Sequence, residues 1–293
     1  MRLNILSFLT DIFLQHEAKF PSFRKIGRMA NKYFSPKKDI KIRVQDFDMY
    51  ASTLDRLLAL CLWKFSYLEG FEKKIVERVV KHGMTVFDIG ANIGFYSLSL
   101  AKLVGERGRV YAFEPDPENY RLLSKNIKAN NFNNIIPVKK ALSNKEGKVK
   151  FFLSEEHRGD HRLYNPGDYR KVINIDSITL DGFTAKKKIK TNFIKMDIQG
   201  AEYLAYLGME KTVKNAKKIV IMCEFTPTAI IKSGHSPRRF IDELRKSGFS
   251  VNIMDSKTKK VRKVSTISLM KICSNGKYTN LLLVKGNQSF VNE

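Results

Sequence analysis

Apolar and polar positions alternate along this chain in two rhythms. Runs that read as buried strands fall near residues 84–89, 109–114, 134–140, 192–197, 217–224, 249–254 and 278–284. Between them, apolar side chains return at helical spacing near 93–104, 117–130, 202–214 and 236–247. Strand and helix that take turns in this way predict a parallel sheet covered by helices on both faces. A chain of 293 residues with 43% apolar content has room for one such α/β domain and a smaller segment.

Three stretches leave that rhythm. Residues 1–35 read as helical and basic, Pro36-Lys37-Lys38 breaks them, and Ile40 to Val44 alternates as a strand. Residues 52–80 read as one or two helices, with Leu54, Leu57, Leu58, Trp63 and Phe65 on the apolar face. The front segment, taken as 1–70, is expected to cap a domain of 71–293 and to help wall a substrate pocket. Between 148 and 178 the pattern shortens to β-like pieces, placed near the mouth where acceptors bind in such sheets. Residues 255–277 read as a basic, loop-rich excursion before the last strand.

The strongest chemical signal follows the first strand of the alternating region. Asp88 closes an apolar run, Gly90 and Gly94 bracket Ala91-Asn92-Ile93, and a helix begins at Phe95. A glycine turn between strand and helix lets backbone approach a ligand, and the helix N-terminus adds unpaired N–H donors. The dinucleotide fingerprint G-x-G-x-x-G is absent; the acid at the strand end suits a ligand that carries an ammonium group. The next strand ends in Glu114-Pro115, 24 residues after Gly90, where an acid accepts both hydroxyls of a ribose.

With this turn and the blocks downstream of it, the chain resembles the FkbM-type methyltransferases, a class I family dependent on S-adenosylmethionine. The blocks are Phe113-Glu114-Pro115, Ser177-Ile178-Thr179-Leu180-Asp181 and Lys195-x-Asp197-x-x-Gly200-x-Glu202, and the resemblance runs from about 70 to about 255. It implies a doubly wound, mostly parallel seven-stranded sheet whose last strand is antiparallel. It implies S-adenosylmethionine as cofactor, held by Asp88, Gly90, Asn92, Gly94, Phe95, Glu114, Pro115, Ala141 and Asp197. Ala141-Leu142-Ser143 fall where the adenine ring lies. Family members are similar to O-methyltransferases that modify hydroxyls of macrolides and of sugars, so the expected acceptor is a hydroxylated small molecule or glycan.

An alcohol needs a base before it attacks a methyl carbon. Asp197 ends the fourth strand at the crevice side of an open sheet, Glu224 ends the fifth, and His161 lies in the 148–178 insertion. These three are the candidate catalytic residues. Glu202 opens a helix, where its charge also suits the dipole, and a buried Lys195 would need Asp197 or Glu224 as partner. A hard metal on Asp197 and Glu224 lacks a ligand-dense motif, and none is expected.

Charge widens the choice of partner. The chain carries 53 Lys and Arg against 29 Asp and Glu, a net +24, with clusters at Lys186 to Lys190 and Lys257 to Lys263. Anionic membrane, lipid-linked glycan and nucleic acid all answer such a surface. A nucleic-acid methyltransferase is the alternative reading, although the N/D-P-P-Y/F element of base N-methyltransferases is replaced here by Asp197-Ile198-Gln199-Gly200. A nucleotide-binding module without catalysis is disfavoured by Asp88, Glu114 and Asp197 all being in place. Three scattered cysteines, Cys61, Cys223 and Cys273, give no disulfide framework and no C-x-x-C zinc motif. The apolar N-terminus is interrupted by Asp11 and reads as an amphipathic helix through Ile5, Phe8, Leu9 and Phe13, too short to span a bilayer. Together these features predict a cytoplasmic protein, with peripheral contact at the inner face of the membrane as its second station.

Overall fold

A computed structural model describes residues 39–52, 70–154 and 157–286. The front helix, Cys61 and Trp63 lie outside the described residues. β1 (Asp39–Val44) and β2 (Phe47–Ser52) form an antiparallel hairpin, and α1 (Gly70–Val79) leads from the front of the chain toward the main sheet. The alternating region then gives β3 (Thr85–Ile89), α2 (Phe95–Val104), β4 (Arg109–Phe113), α3 (Pro117–Ala129) and β5 (Ile135–Val138). Pro117 opens α3 as its first helical residue, and Asp116 caps it by accepting from the Glu118 and Asn119 N–H groups.

The insertion is a sheet of its own. β6 (Ala141–Leu142), β7 (Gly147–Leu153) and β8 (Lys171–Ile178) pair in the order β6-β8-β7, around a small core of Ala141, Phe151 and Ile175. After it come α4 (Leu180–Lys187), β9 (Phe193–Met196), α5 (Glu202–Leu207), α6 (Glu210–Asn215) and β10 (Ile219–Phe225). The helix expected over 202–214 is broken in two at Gly208. A Cβ there would lie 2.0 Å from the Ser143 carbonyl oxygen, so only glycine fits where the chain passes the insertion, and Met209 then leaves helical backbone (φ -127°).

The chain closes with α7 (Pro227–Lys232), α8 (Pro237–Lys246), β11 (Ser250–Asp255), β12 (Lys260–Lys263), α9 (Thr266–Ile272) and β13 (Thr279–Lys285). The main sheet runs β12-β11-β13-β10-β9-β3-β4-β5. β3, β4, β5, β9 and β10 are mutually parallel neighbours, and β13 is antiparallel to both β10 and β11. The last strand is therefore antiparallel, as the family resemblance implies. The strand count of seven needs correction to eight, and 255–277 is not a loop but a strand and a helix. β12 escapes the hydrophobic pattern because it is an edge strand with one apolar residue, Val261, among Lys260, Arg262 and Lys263. Such charges protect an edge against further pairing.

Each strand splits its side chains between two cores. Val86, Val110 and Phe193 pack on the side of α2, α3 and the β1–β2 hairpin, whereas Phe87, Ile89, Phe113, Ile194 and Met196 pack with Tyr206, Phe240 and Leu244 on the other. The hairpin is tied to α3 by two asparagines. Asn126 exchanges bonds with the Tyr50 N–H and carbonyl and also donates to the Ile93 carbonyl, 2.8 Å away. Asn130 does the same for Asp48.

Candidate active site

β3 is central and fully covered, so its exit must turn at once beside β9. Gly90 (φ 79°) makes that turn against the Asp197 carbonyl; a Cβ there would lie 2.0 Å from the oxygen. The Gly90 and Ala91 N–H groups donate to the Phe113 carbonyl at 3.0 and 2.9 Å, which pins the turn to the end of β4. Gly94 (φ 98°) is the N-cap of α2 and brings no side chain to cap it. The start of α2 therefore meets the cavity without a capping side chain, beside the partial positive charge of the helix end.

The turn opens on a cavity of about 300 Å³ at the carboxyl ends of β3, β4 and β9. Glu114 lies in its wall. Its two carboxylate oxygens accept from the Asn92 and Asp116 N–H groups at 2.8 and 2.9 Å, with lone pairs left over for two further donors. Burial pushes its pKa up to about 8, against the pull of those two N–H groups. Phe113, Ala141 and Leu142 give the same wall an apolar stretch, and Asn92 turns a buried side-chain oxygen with no hydrogen-bond partner among the described residues.

Across the cavity, a chain of three charges runs beneath and along the turn. Asp88 and Lys195 are register partners in neighbouring strands. Asp88 is 0% exposed, accepts from Ser97 Oγ at 2.6 Å and lies 3.7 Å from Lys195 Nζ. Burial raises the Asp88 pKa, and the Lys195 ammonium opposes that rise. Lys195 Nζ also lies 3.8 Å from Asp197 Oδ2 and 4.9 Å from the centre of the Tyr96 ring. Asp197 has 37% of its side chain exposed to the cavity side, and Gln199 Nε2 donates to its other oxygen at 2.8 Å.

The insertion supplies the roof. His157, Arg158, Gly159, His161 and Leu163 line the cavity from the short 3₁₀ turn Arg158–Asp160 and the residues around Arg162, which bridges to Phe152. Arg158 is anchored at the start of α3: its Nη1 donates to Asp116 Oδ1 at 2.9 Å and its carbonyl accepts from Asn119 Nδ2 at 3.2 Å. His161 is buried edge-on against Phe151, with Nδ1 accepting from the Ser154 N–H at 3.0 Å. In a neutral imidazole that bond occupies the one lone pair that takes a proton, and places the N–H on Nε2, which lies 3.8 Å from Asp116 Oδ2.

Of the expected site residues, the cavity wall brings together Gly90, Asn92, Phe95, Glu114, Pro115, Ala141, His161 and Asp197. Asp88 and Gly94 sit one layer behind it. Glu224 is outside the wall, with Thr226 Oγ1 donating to its carboxylate at 2.9 Å. Glu202 is a structural brace, its two oxygens accepting from Ile198 N and Gly200 N at 3.0 and 2.9 Å; burial pushes it up to about 8. Asp181 braces the start of α6 through the Lys211 and Thr212 N–H groups. Sequence reasoning missed Tyr96, Lys140, His157 and Arg158. Tyr96 adjoins the glycine turn and could have been read from it; Arg158 depends on the folded insertion reaching α3. Among the described residues no three His, Cys, Asp or Glu side chains converge to hold a metal, and no helix is long and apolar enough to cross a membrane.

Known proteins resemble this chain in sequence. The model of the methyltransferase FkbM domain matches residues 88–251, more than half of the chain. The hexuronic acid methyltransferase AglP of Haloferax volcanii is 24% identical over 165 residues, 55% of this chain and 65% of AglP. An uncharacterized protein of Methanocaldococcus jannaschii is 40% identical over 78 residues, 25% of this chain and 29% of that one. The chain thus spans less than two thirds of the length of either relative. A solved structure described as a putative rRNA methylase from Clostridium thermocellum covers 76% of this chain and 99% of its own, with 14% identity and a TM-score of 0.46.

Proposed function

The chain belongs to the FkbM methyltransferase family, and from that premise we propose that it transfers a methyl group from S-adenosylmethionine to a hydroxyl of a sugar or glycan. The observation that carries the reading is the Asp197 carboxylate, held at the cavity wall across from Glu114 with one face open. The likeness to AglP supports a sugar as the acceptor.

The residues present fit the donor. Glu114 keeps lone pairs for the ribose hydroxyls, Ala141, Leu142 and Phe113 offer an apolar wall for the purine, and the uncapped start of α2 suits the carboxylate of the methionyl end. When bound, S-adenosylmethionine would supply an electrophilic methyl group on a sulfonium whose leaving group is a neutral thioether. The rest falls to this chain. Asp197 accepts the proton of the acceptor hydroxyl, while Lys195 and Gln199 fix its two oxygens. The roof from 157 to 163, moored by Arg158 to α3, orders the mouth and keeps water from competing with the acceptor. His161 stiffens that roof in this geometry, its Nδ1 accepting from the Ser154 N–H within the insertion.

Two results test the reading. With the labelled donor, purified protein transfers methyl label to oligosaccharide acceptors in an alkali-stable form, as an ether does. Label released by mild alkali means a carboxyl acceptor, and label confined to RNA means the alternative; either outcome overturns the hydroxyl reading. For the donor site, Glu114→Gln weakens S-adenosylmethionine binding by about 1.5–3 kcal/mol, the scale of hydrogen bonds to a charged group. Ribose hydroxyls donate to the ionised form, so wild-type affinity rises as Glu114 loses its proton near pH 8. Calorimetric titrations at several pH values check this: an identical pH slope in wild type and Glu114→Gln removes Glu114 from the ribose site.

A further inference from the structure

The excess of positive charge is not spread evenly over the fold. β11, β10, β9, β3 and β4 all start at one edge of the sheet, the edge opposite the cavity. Ahead of β9 stand Lys187, Lys188 and Lys190; ahead of β10 stand Lys217 and Lys218, all exposed. Exposed Lys246 ahead of β11 and Arg107 ahead of β4 carry the row outward on either side. From β11 to β4 there are five strand-to-strand steps, about 24 Å of edge at ordinary strand spacing. Glu106 is the single acid in the connections ahead of β3, β4, β9, β10 and β11 among the described residues.

Some lysines elsewhere are matched with acids, as Lys41 is with Asp48, Lys125 with Asp39 and Lys148 with Asp176. Among the described residues, no carboxylate lies within ion-pair distance of the lysines named at this edge. The cavity itself differs, with Glu114, Asp116 and Asp197 interleaved among its cations. Like charges held close together and unmatched repel one another, and a planar anionic partner relieves that repulsion.

We propose that this lysine edge docks the protein on an anionic phospholipid surface, with the catalytic cavity on the far side facing water. The proposal goes beyond the methyl-transfer reading and holds for any acceptor. Lysines as point charges on a row of short loops suit a diffuse, planar field. A nucleic-acid substrate is less well served: no exposed Phe, Tyr or Trp lies at this edge among the described residues, and a strand bound here would be at the wrong end of the sheet for the cavity. Stable docking takes two signals, and the sequence has a second in Ile5, Phe8, Leu9 and Phe13, followed by Lys19, Arg24, Lys25 and Arg28.

Sedimentation of the full chain with vesicles tests this. One set is phosphatidylcholine alone and the other contains about 30% phosphatidylserine. The wild type is expected to bind the anionic set only, and to release as added salt shortens the screening length. Combined Lys187→Gln, Lys188→Gln, Lys217→Gln and Lys218→Gln should cost roughly six hundredfold in binding, from about fivefold per lysine at such a surface. A charge-matched control, Lys257→Gln, Lys259→Gln, Lys260→Gln and Lys277→Gln, alters exposed residues at the other end of β11 and β13 and should cost far less. Both variants should keep wild-type affinity for S-adenosylmethionine, which checks folding. Equal binding to the two vesicle sets, equal loss in the two variants, or tighter binding to an RNA duplex at the same salt would each overturn the proposal.

Discussion

Asp197→Asn is expected to slow single-turnover methyl transfer by about 10²–10⁴-fold, the usual cost of a lost general base. The amide keeps the shape and the Gln199 contact but cannot take the acceptor proton. Donor affinity should stay near wild type, because Glu114, Ala141 and the α2 terminus are untouched. The rate of the variant should climb with pH as solvent hydroxide substitutes for the missing carboxylate. His161→Ala is the informative contrast. With Nδ1 committed to Ser154, its loss should loosen the roof and weaken donor binding, leaving the pH–rate profile in place. A normal rate in Asp197→Asn beside a collapsed rate in His161→Ala would transfer the role of base to the histidine.

Lys195→Met should cost about 3–5 kcal/mol of stability at neutral pH, since it strands Asp88 as a buried charge without its counterion. The sign with pH follows from Asp88, whose pKa is already raised by burial and rises further once the ammonium is gone. A raised acid contributes stability that is present below its unfolded pKa and is lost as pH climbs through the folded one. The variant should therefore approach wild type as the solution is acidified and diverge as it is made alkaline. Asp88→Asn in the Lys195→Met background should recover much of the loss, because a neutral pair has no stranded charge. Denaturant unfolding of the four chains of this cycle, at neutral and mildly acid pH, measures it. No recovery in the double variant would mean that the two groups are not coupled.

What could be read from the sequence was what short-range chemistry dictates. Gly90 and Gly94 occupy backbone regions that other residues resist, Pro117 and Asp116 mark a helix start, and short apolar runs bounded by turns need no partner to be recognised as buried strands. These placed the cavity and most of its wall. Asp88 was expected to face the ligand, yet it lies behind the turn. Alternation along β3 puts Phe87 and Ile89 on one face and Asp88 on the other, against Ser97 of α2. Register between β3 and β9 then decides that Lys195 meets Asp88, and register is a property of two strands together. The moorings of Arg158 and His161 were hidden for a similar reason, since residues from separate elements meet only after the insertion folds over α3. β12 carried too few apolar positions to show any period.

β13 comes late in the chain, after the region shared with the family, yet it lies in the sheet between β10 and β11. Its Leu281 and Leu283 join the core on one face and Leu282 and Val284 the core on the other. The borders of sequence similarity are thus not borders of cooperative unfolding. A truncated enzyme cut at residue 251 would lose most of β11 with β12 and β13 and expose the unpaired edge of β10, and a chimera made by swapping the shared region between relatives would have to bring a compatible β13 along with it.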